Sequence, residues 1–89
     1  MKTSKSILLV EDDIDDQDFF IEALSKIENA TIYDVANNGK EALDKLKNSV
    51  VLPDLIFMDI NMPLMNGIEC LSEIIKTSKI RDIPVALAF

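Results

Sequence analysis

The chain has 89 residues, 48% hydrophobic and 28% charged, with a formal net charge of -7; this fits one folded domain with a modest core and argues against a nucleic-acid-binding face or docking on anionic lipid. It contains no histidine and a single cysteine, Cys70, which excludes imidazole catalysis, zinc sites built on histidine and an internal disulfide. No apolar run is long enough to span a bilayer, and Ile7 to Val10 after Lys2 and Lys5 is too short for a signal-peptide core, so the expected compartment is the cytoplasm.

Residues 1 to 5 read as a polar leader and Ser6 to Val10 as a first apolar strand, followed at once by Glu11, Asp12 and Asp13. From Ile14 the period changes: Phe20, Ala23, Leu24 and Ile27 fall on one stripe of an amphipathic helix. Asp13 suits its N-cap, and Asp15, Asp16 and Asp18 crowd its start, where the helix dipole favours negative charge. Glu28-Asn29-Ala30 ends that helix, and Thr31 to Ala36, with Ile32, Tyr33 and Val35, reads as a second strand. Asn37-Asn38-Gly39 is a turn. Asn38 with Glu41 has the capping-box spacing, and Ala42, Leu43 and Leu46 give the apolar side of a second helix.

Val50 to Leu52 lead through Pro53 into a third strand, Leu55 to Met58, whose unbroken apolar run predicts cover on both faces. Asp59 ends that run, and Pro63, Asn66 and Gly67 are loop signals. Asn66 with Glu69 predicts another cap; Ile68, Leu71, Ile74 and Ile75 give a third helix, with Lys76, Lys79 and Arg81 at or just past its end. Ile83-Pro84 opens a fourth strand, Val85 to Phe89. Strands alternating with helices predict right-handed crossovers, a parallel sheet and helices on both of its faces.

In such a sheet the first and third strands are expected to be central neighbours, which brings Glu11 and Asp12 close to Asp59 at the switch point. Carboxylates about 4 Å apart repel by roughly 1 kcal/mol in bulk water and about 4 at an effective dielectric near 20. A divalent cation relieves that repulsion, and an oxygen-only donor set without His or Cys selects a hard ion, Mg2+ or else Mn2+. Such a site suits phosphoryl chemistry, with a carboxylate such as Asp59 as nucleophile. A strand that simply ends in a turn-forming Asp is the plainer reading. Met58, Met62 and Met65 read as core and loop filler, and Cys70 as a small apolar residue.

Four segments together resemble the receiver domain of two-component response regulators, the CheY-like family: Ile7-Leu8-Leu9-Val10-Glu11-Asp12-Asp13, Asn38-Gly39-Lys40-Glu41-Ala42-Leu43, Asp59 with Met62-Pro63 and Gly67, and Ile83-Pro84-Val85. The resemblance implies a flavodoxin-like, doubly wound parallel sheet, β1α1β2α2β3α3β4 in strand order 2-1-3-4. It implies that Asp59 accepts a phosphoryl group from a phosphohistidine on a partner, a sensor histidine kinase or phosphotransfer protein. It further implies that Asp12 ligates Mg2+ directly, Glu11 through water, and Asn61 through its backbone carbonyl. Such a protein is no enzyme toward a separate substrate; it helps to catalyse its own phosphorylation and dephosphorylation and signals by protein contact.

The chain departs from the family in two respects. The Ser or Thr expected at the end of the fourth strand falls at Phe89, which has no hydroxyl. The helix, the strand carrying a Lys and the final helix that complete a receiver have no counterpart, and Lys5, Lys76 and Lys79 do not match that Lys. The expectation is an incomplete receiver with an uncovered sheet face and an open edge, whether minimal by nature, shortened, or completed by dimerising or swapping with a partner. Three functional classes stay open: a phosphorylation-dependent switch, an interaction module that keeps the fold without switching, and a Mg2+-dependent phosphatase with an aspartyl nucleophile. The last wants a general acid two residues after the nucleophile, where this chain has Asn61.

Overall fold

Every expected element forms. The computed structural model describes residues 4–88, in which β1 (Lys5–Val10), α1 (Ile14–Ser25), β2 (Ala30–Ala36), α2 (Gly39–Lys47), β3 (Leu55–Asp59), α3 (Gly67–Lys76) and β4 (Val85–Ala88) follow in order. All strand pairs are parallel, in the order β2-β1-β3-β4. β1 is central because Ile7, Leu8, Leu9 and Val10 are all buried, as a strand covered on both faces requires. A register shift between Ile7 and Leu8 leaves Tyr33 of β2 as a bulge, and its hydroxyl donates to the Val51 carbonyl at 2.6 Å.

The two faces of the sheet differ. On one, Leu8, Val10, Ile56 and Met58 pack against Ala42, Leu43 and Leu46 of α2, Cys70 and Ile74 of α3, and Ile80. On the other lies α1, which buries only Leu24 and sets Phe20 over Phe57, with ring centroids 4.7 Å apart. There Leu55, Phe57, Ala86 and Ala88 stay half-buried. The expected cover on both faces of β3 is therefore complete on one face only, because among the described residues a single helix serves the other.

Helix starts follow the sequence closely. Asp13 accepts from the Asp16 amide at 3.1 Å. At α3 the Asn66–Glu69 box is reciprocal, with contacts of 2.9 and 3.0 Å. At α2 only half the expected box forms. Asn38 accepts from the Glu41 amide at 2.8 Å, but the Glu41 carboxylate turns to the backbone and side-chain amides of Asn37, both at 3.3 Å.

Three local expectations need correction. Helix α1 stops at Ser25, with the Lys26 amide on the Ala23 carbonyl, and Asn29 turns the chain in the left-handed region at φ 67°; Ile27 thus falls past the helix and lies exposed, and within the helix Ala23 is exposed as well, leaving Leu24 as the buried member of the expected stripe. In α3 the buried side is Gly67, Cys70 and Ile74, while Ile68 and Ile75 face outward. Two apolar stripes one residue apart differ by about 100° of rotation, and periodicity alone does not choose between them. Close packing does: a Cβ on Gly67 would stand 2.6 Å from the Asp59 carbonyl oxygen, so the helix start presses backbone to backbone on the end of β3. Lys79, finally, serves α2 rather than α3; its ammonium group donates to the carbonyls of Lys47 and Ser49 at 2.9 and 2.7 Å.

These assignments predict opposite responses at adjacent positions. Ile74→Ala should cost about 2–5 kcal/mol by vacating a packed site, whereas Ile75→Ala should stay within about 0.5 kcal/mol. Urea unfolding followed by circular dichroism measures both, and equal losses would contradict the helix rotation described here.

Candidate metal centre

The site is assembled by strand pairing. Val10 of β1 lies opposite Met58 of β3, so the residues that follow them, Glu11 and Asp59, emerge at the same rim of the sheet. Glu11, Asp12 and Asp59 each bring a carboxylate oxygen within 4.8 Å of the others. Glu11 and Asp59 are half-buried and Asp12 is exposed.

Two of the three acids are held by backbone. The Glu11 amide continues the ladder to the Ala36 carbonyl at 2.9 Å, and its carboxylate accepts from the Asp13 amide at 3.1 Å. Asp59 accepts from the Asn61 amide at 3.3 Å. Beyond it, the Ile60 amide donates to Ala88 of β4 and the Ile60 carbonyl accepts from Gly67, at 3.0 and 2.9 Å. The loop then passes through Leu64 at φ 68° and returns to α2, where the Gly39 amide donates to the Met65 carbonyl at 3.2 Å. A Cβ on Gly39 would fall 2.7 Å from that same oxygen. Both helices that frame the loop thus begin on a glycine because backbone occupies the space of a side chain.

The electrostatics are unfavourable as they stand. Like charges about 5 Å apart repel by under 1 kcal/mol in water and by roughly 3 at an effective dielectric near 20. Burial, with the Asp59 charge adding to it, pushes the Glu11 carboxyl above the usual carboxylate range, against the pull of the Asp13 amide. The ion pairs among the described residues, Lys45–Asp34 at 3.0 Å and Lys76–Glu73 at 3.9 Å, involve none of the three acids. The donor set is all oxygen, which is the chemistry that suits a hard cation.

Asn61 is exposed, with its amide on Asp59; the expectation at Phe89 lies outside the described residues. Cys70 is buried, and burial pushes its thiol up to about 11, which keeps it protonated and inert. The sequence gives no signal for Gln17 and marks Asn37 only as a turn, yet Gln17 Nε2 donates to the Glu11 backbone carbonyl at 2.6 Å and to Asn37 Oδ1 at 2.8 Å.

The repulsion sets a pH dependence. With its folded-state value raised, Glu11 favours the fold while protonated, and that contribution is lost as pH climbs from the ordinary value of 4.5 through the raised one. In metal-free buffer at pH 7, Glu11→Gln should therefore resist urea better than the parent chain. The advantage should shrink on acidification through that window, because the parent then sheds its own repulsion. Unfolding midpoints in EDTA from pH 7 to pH 4 test this; an advantage that grows on acidification would contradict it.

Comparison with known proteins agrees with the geometry. Residues 7–88 match the response regulator receiver domain family. The chain is similar to the protein-glutamate methylesterase/protein-glutamine glutaminase of Aliivibrio fischeri, with 46% identity over 67 residues, 71% of this chain and 17% of that protein. Among solved structures it is similar to the phosphorylated cyanobacterial phytochrome response regulator RcpA, with a TM-score of 0.84 and 32% identity over 94% of this chain and 64% of that one. It is also similar to a response regulator in its Mn2+-bound form, with a TM-score of 0.82 and 30% identity over 93% of this chain and 63% of that one. The chain thus spans under a fifth of that curated relative and under two thirds of these solved chains. The sheet order reached from its own strand pairing, 2-1-3-4, is that of these neighbours, and with the match running through nearly all of its elements the chain belongs to the response regulator receiver domain family.

Proposed function

We propose that this receiver is a phospho-acceptor in two-component signalling, in which Asp59 takes a phosphoryl group from a phosphohistidine on a sensor histidine kinase or phosphotransfer protein. An Asp59 carboxylate oxygen attacks phosphorus, the phosphorus–nitrogen bond breaks, and the imidazole of the partner leaves with the electron pair. Asp12 would hold Mg2+ directly and Glu11 through water, with Asp59 and the Asn61 backbone carbonyl as the remaining ligands from the protein. When bound, Mg2+, or Mn2+ in its place, would neutralise charge on the phosphoryl oxygens. Hydrolysis of the acyl phosphate resets the site, and the phosphorylated chain signals by protein contact from a cytoplasmic location.

The observation that carries this reading is the convergence of Glu11, Asp12 and Asp59 within 4.8 Å. Stability alone disfavours such a cluster, and a cation with phosphoryl oxygens gives it a purpose. Support also comes from the likeness to a phosphorylated and to a Mn2+-bound response regulator. Among the described residues no helix is long and apolar enough to cross a membrane. Incubation with acetyl phosphate and Mg2+ should add one phosphate to the intact chain by mass spectrometry, and none to Asp59→Ala or in excess EDTA. A chain that acquires no phosphate is an interaction module instead; steady release of phosphate from many organic esters would favour the hydrolase.

A second property rests on the lopsided sheet. Phe57, Ala86 and Ala88 are half-buried, Phe19 is 75% exposed, and β4 is an outer strand of the described sheet. Exposed apolar faces and free edges favour pairing, and a second copy of the chain offers the matching surface. Light scattering from micromolar to millimolar concentration should show a mass rising above that of the monomer; a constant monomer mass would refute self-association.

A further inference from the structure

The Glu11–Asp12 peptide is held through its own carbonyl, and the residue that leads into it is held through its amide. Its leading residue donates through the Glu11 amide to Ala36 of β2 at 2.9 Å. Its carbonyl accepts from Gln17 Nε2 at 2.6 Å. The Gln17 backbone is fixed within the first turns of α1, its own amide on the Asp13 carbonyl at 2.9 Å. The second hydrogen of the same Gln17 nitrogen goes to Asn37 Oδ1 at 2.8 Å, and Asn37 is held in turn by the Glu41 carboxylate. This is the carboxylate that leaves the α2 capping box half-formed. A chain of side chains therefore runs from α2 through the β2–α2 turn and α1 to the peptide that aims two of the three acids.

We infer that Gln17 is a positioning residue for the cation pocket: by holding the Glu11 carbonyl it fixes the plane of the Glu11–Asp12 peptide, and so directs both carboxylates toward Asp59. The physical reason is the repulsion at the rim. Asp12 is exposed and free to rotate away from its like-charged neighbours, and without a cation nothing in the electrostatics favours convergence. A hydrogen bond to the backbone, rather than to either carboxylate, sets the direction of the acids and leaves their oxygens free for the ion. Partners that orient metal ligands typically change affinity by about 10–100-fold when removed. The inference rests on the cation-binding reading above and specifies what pre-organises that site.

Two substitutions test it. Gln17→Met keeps length and helix preference but has no donor. Gln17→Glu keeps shape, loses both donors, sets a carboxylate against the Glu11 carbonyl and adds a negative charge. Free Mn2+ measured by electron paramagnetic resonance during titration of the full chain should give a dissociation constant about tenfold weaker for Gln17→Met. Gln17→Glu should also bind more weakly, although simple charge attraction would make it bind more tightly. In metal-free protein, NMR should show the Asp12 amide shifted and exchanging faster in both variants. Mn2+ affinity in Gln17→Met equal to that of the parent, tighter binding by Gln17→Glu, or an unchanged Asp12 amide would overturn the role. A parent chain that takes up no Mn2+ would sink the cation reading itself, while the amide measurement would still report whether Gln17 holds the peptide.

Discussion

The structure depends on the lateral pairing of β1 with β3. Val10 opposite Met58 puts the two acid-bearing strand ends side by side, and the fold must tolerate three carboxylates within 4.8 Å. Two parallel strands can be neighbours in this order only if the chain winds out to β2 and then crosses back over β1, the reversal that opens a crevice at the carboxyl ends of a doubly wound sheet. The charge cluster is therefore a consequence of topology as much as of composition. Its cost is visible in the Glu11 carboxyl, which burial and Asp59 push upward.

The surroundings of the rim are built to limit motion. The loop after Asp59 is clamped by backbone at three places: Ile60 on β4, Gly67 on Ile60, and Gly39 on Met65. Close approach at Gly39 and Gly67 sets the rotation of α2 and α3, and that rotation decides which side chains reach the core. The same contacts that bury Cys70 and Ile74 hold Asp59 in place, so core packing and site geometry are parts of one arrangement. On the other face α1 contributes little core beyond Leu24 and the Phe20–Phe57 contact. Its importance lies at its first turns, where Asp13 caps the helix and Gln17 reaches back to Glu11.

The division between the faces also bears on partnership. One face is sealed by two helices and has fully buried Leu8, Val10, Ile56 and Met58; the other leaves aromatic and small apolar groups half open. Family membership explains why the sealed face and the acidic rim go together, since both depend on β1, β3 and the loops that follow them. The proposed chemistry uses the acidic rim and the first turns of α1, whereas self-association would use the half-open face.

Local interactions were legible in the sequence because they act between residues close in the chain. Apolar runs gave the strands, and Asp13, Asn38 and Asn66 marked the helix starts, since a cap and the amide it serves lie three residues apart. The pairing of Glu11 and Asp12 with Asp59 could be anticipated from the alternation of strands and helices, which permits few sheet orders. What needed the tertiary structure were choices between locally equivalent states. Ile68 and Ile75 are as apolar as Ile74, and only the contact of Gly67 with the Asp59 backbone selects the buried stripe. Glu41 fits a capping box, yet its carboxylate turns to the backbone and side-chain amides of the neighbouring Asn37. Gln17 carries no sequence signal at all, because its partners are a backbone carbonyl and an amide on a different turn of chain. Such contacts exist only after the strands have paired, and pairing between distant segments is decided by the whole core rather than by any one stretch of it.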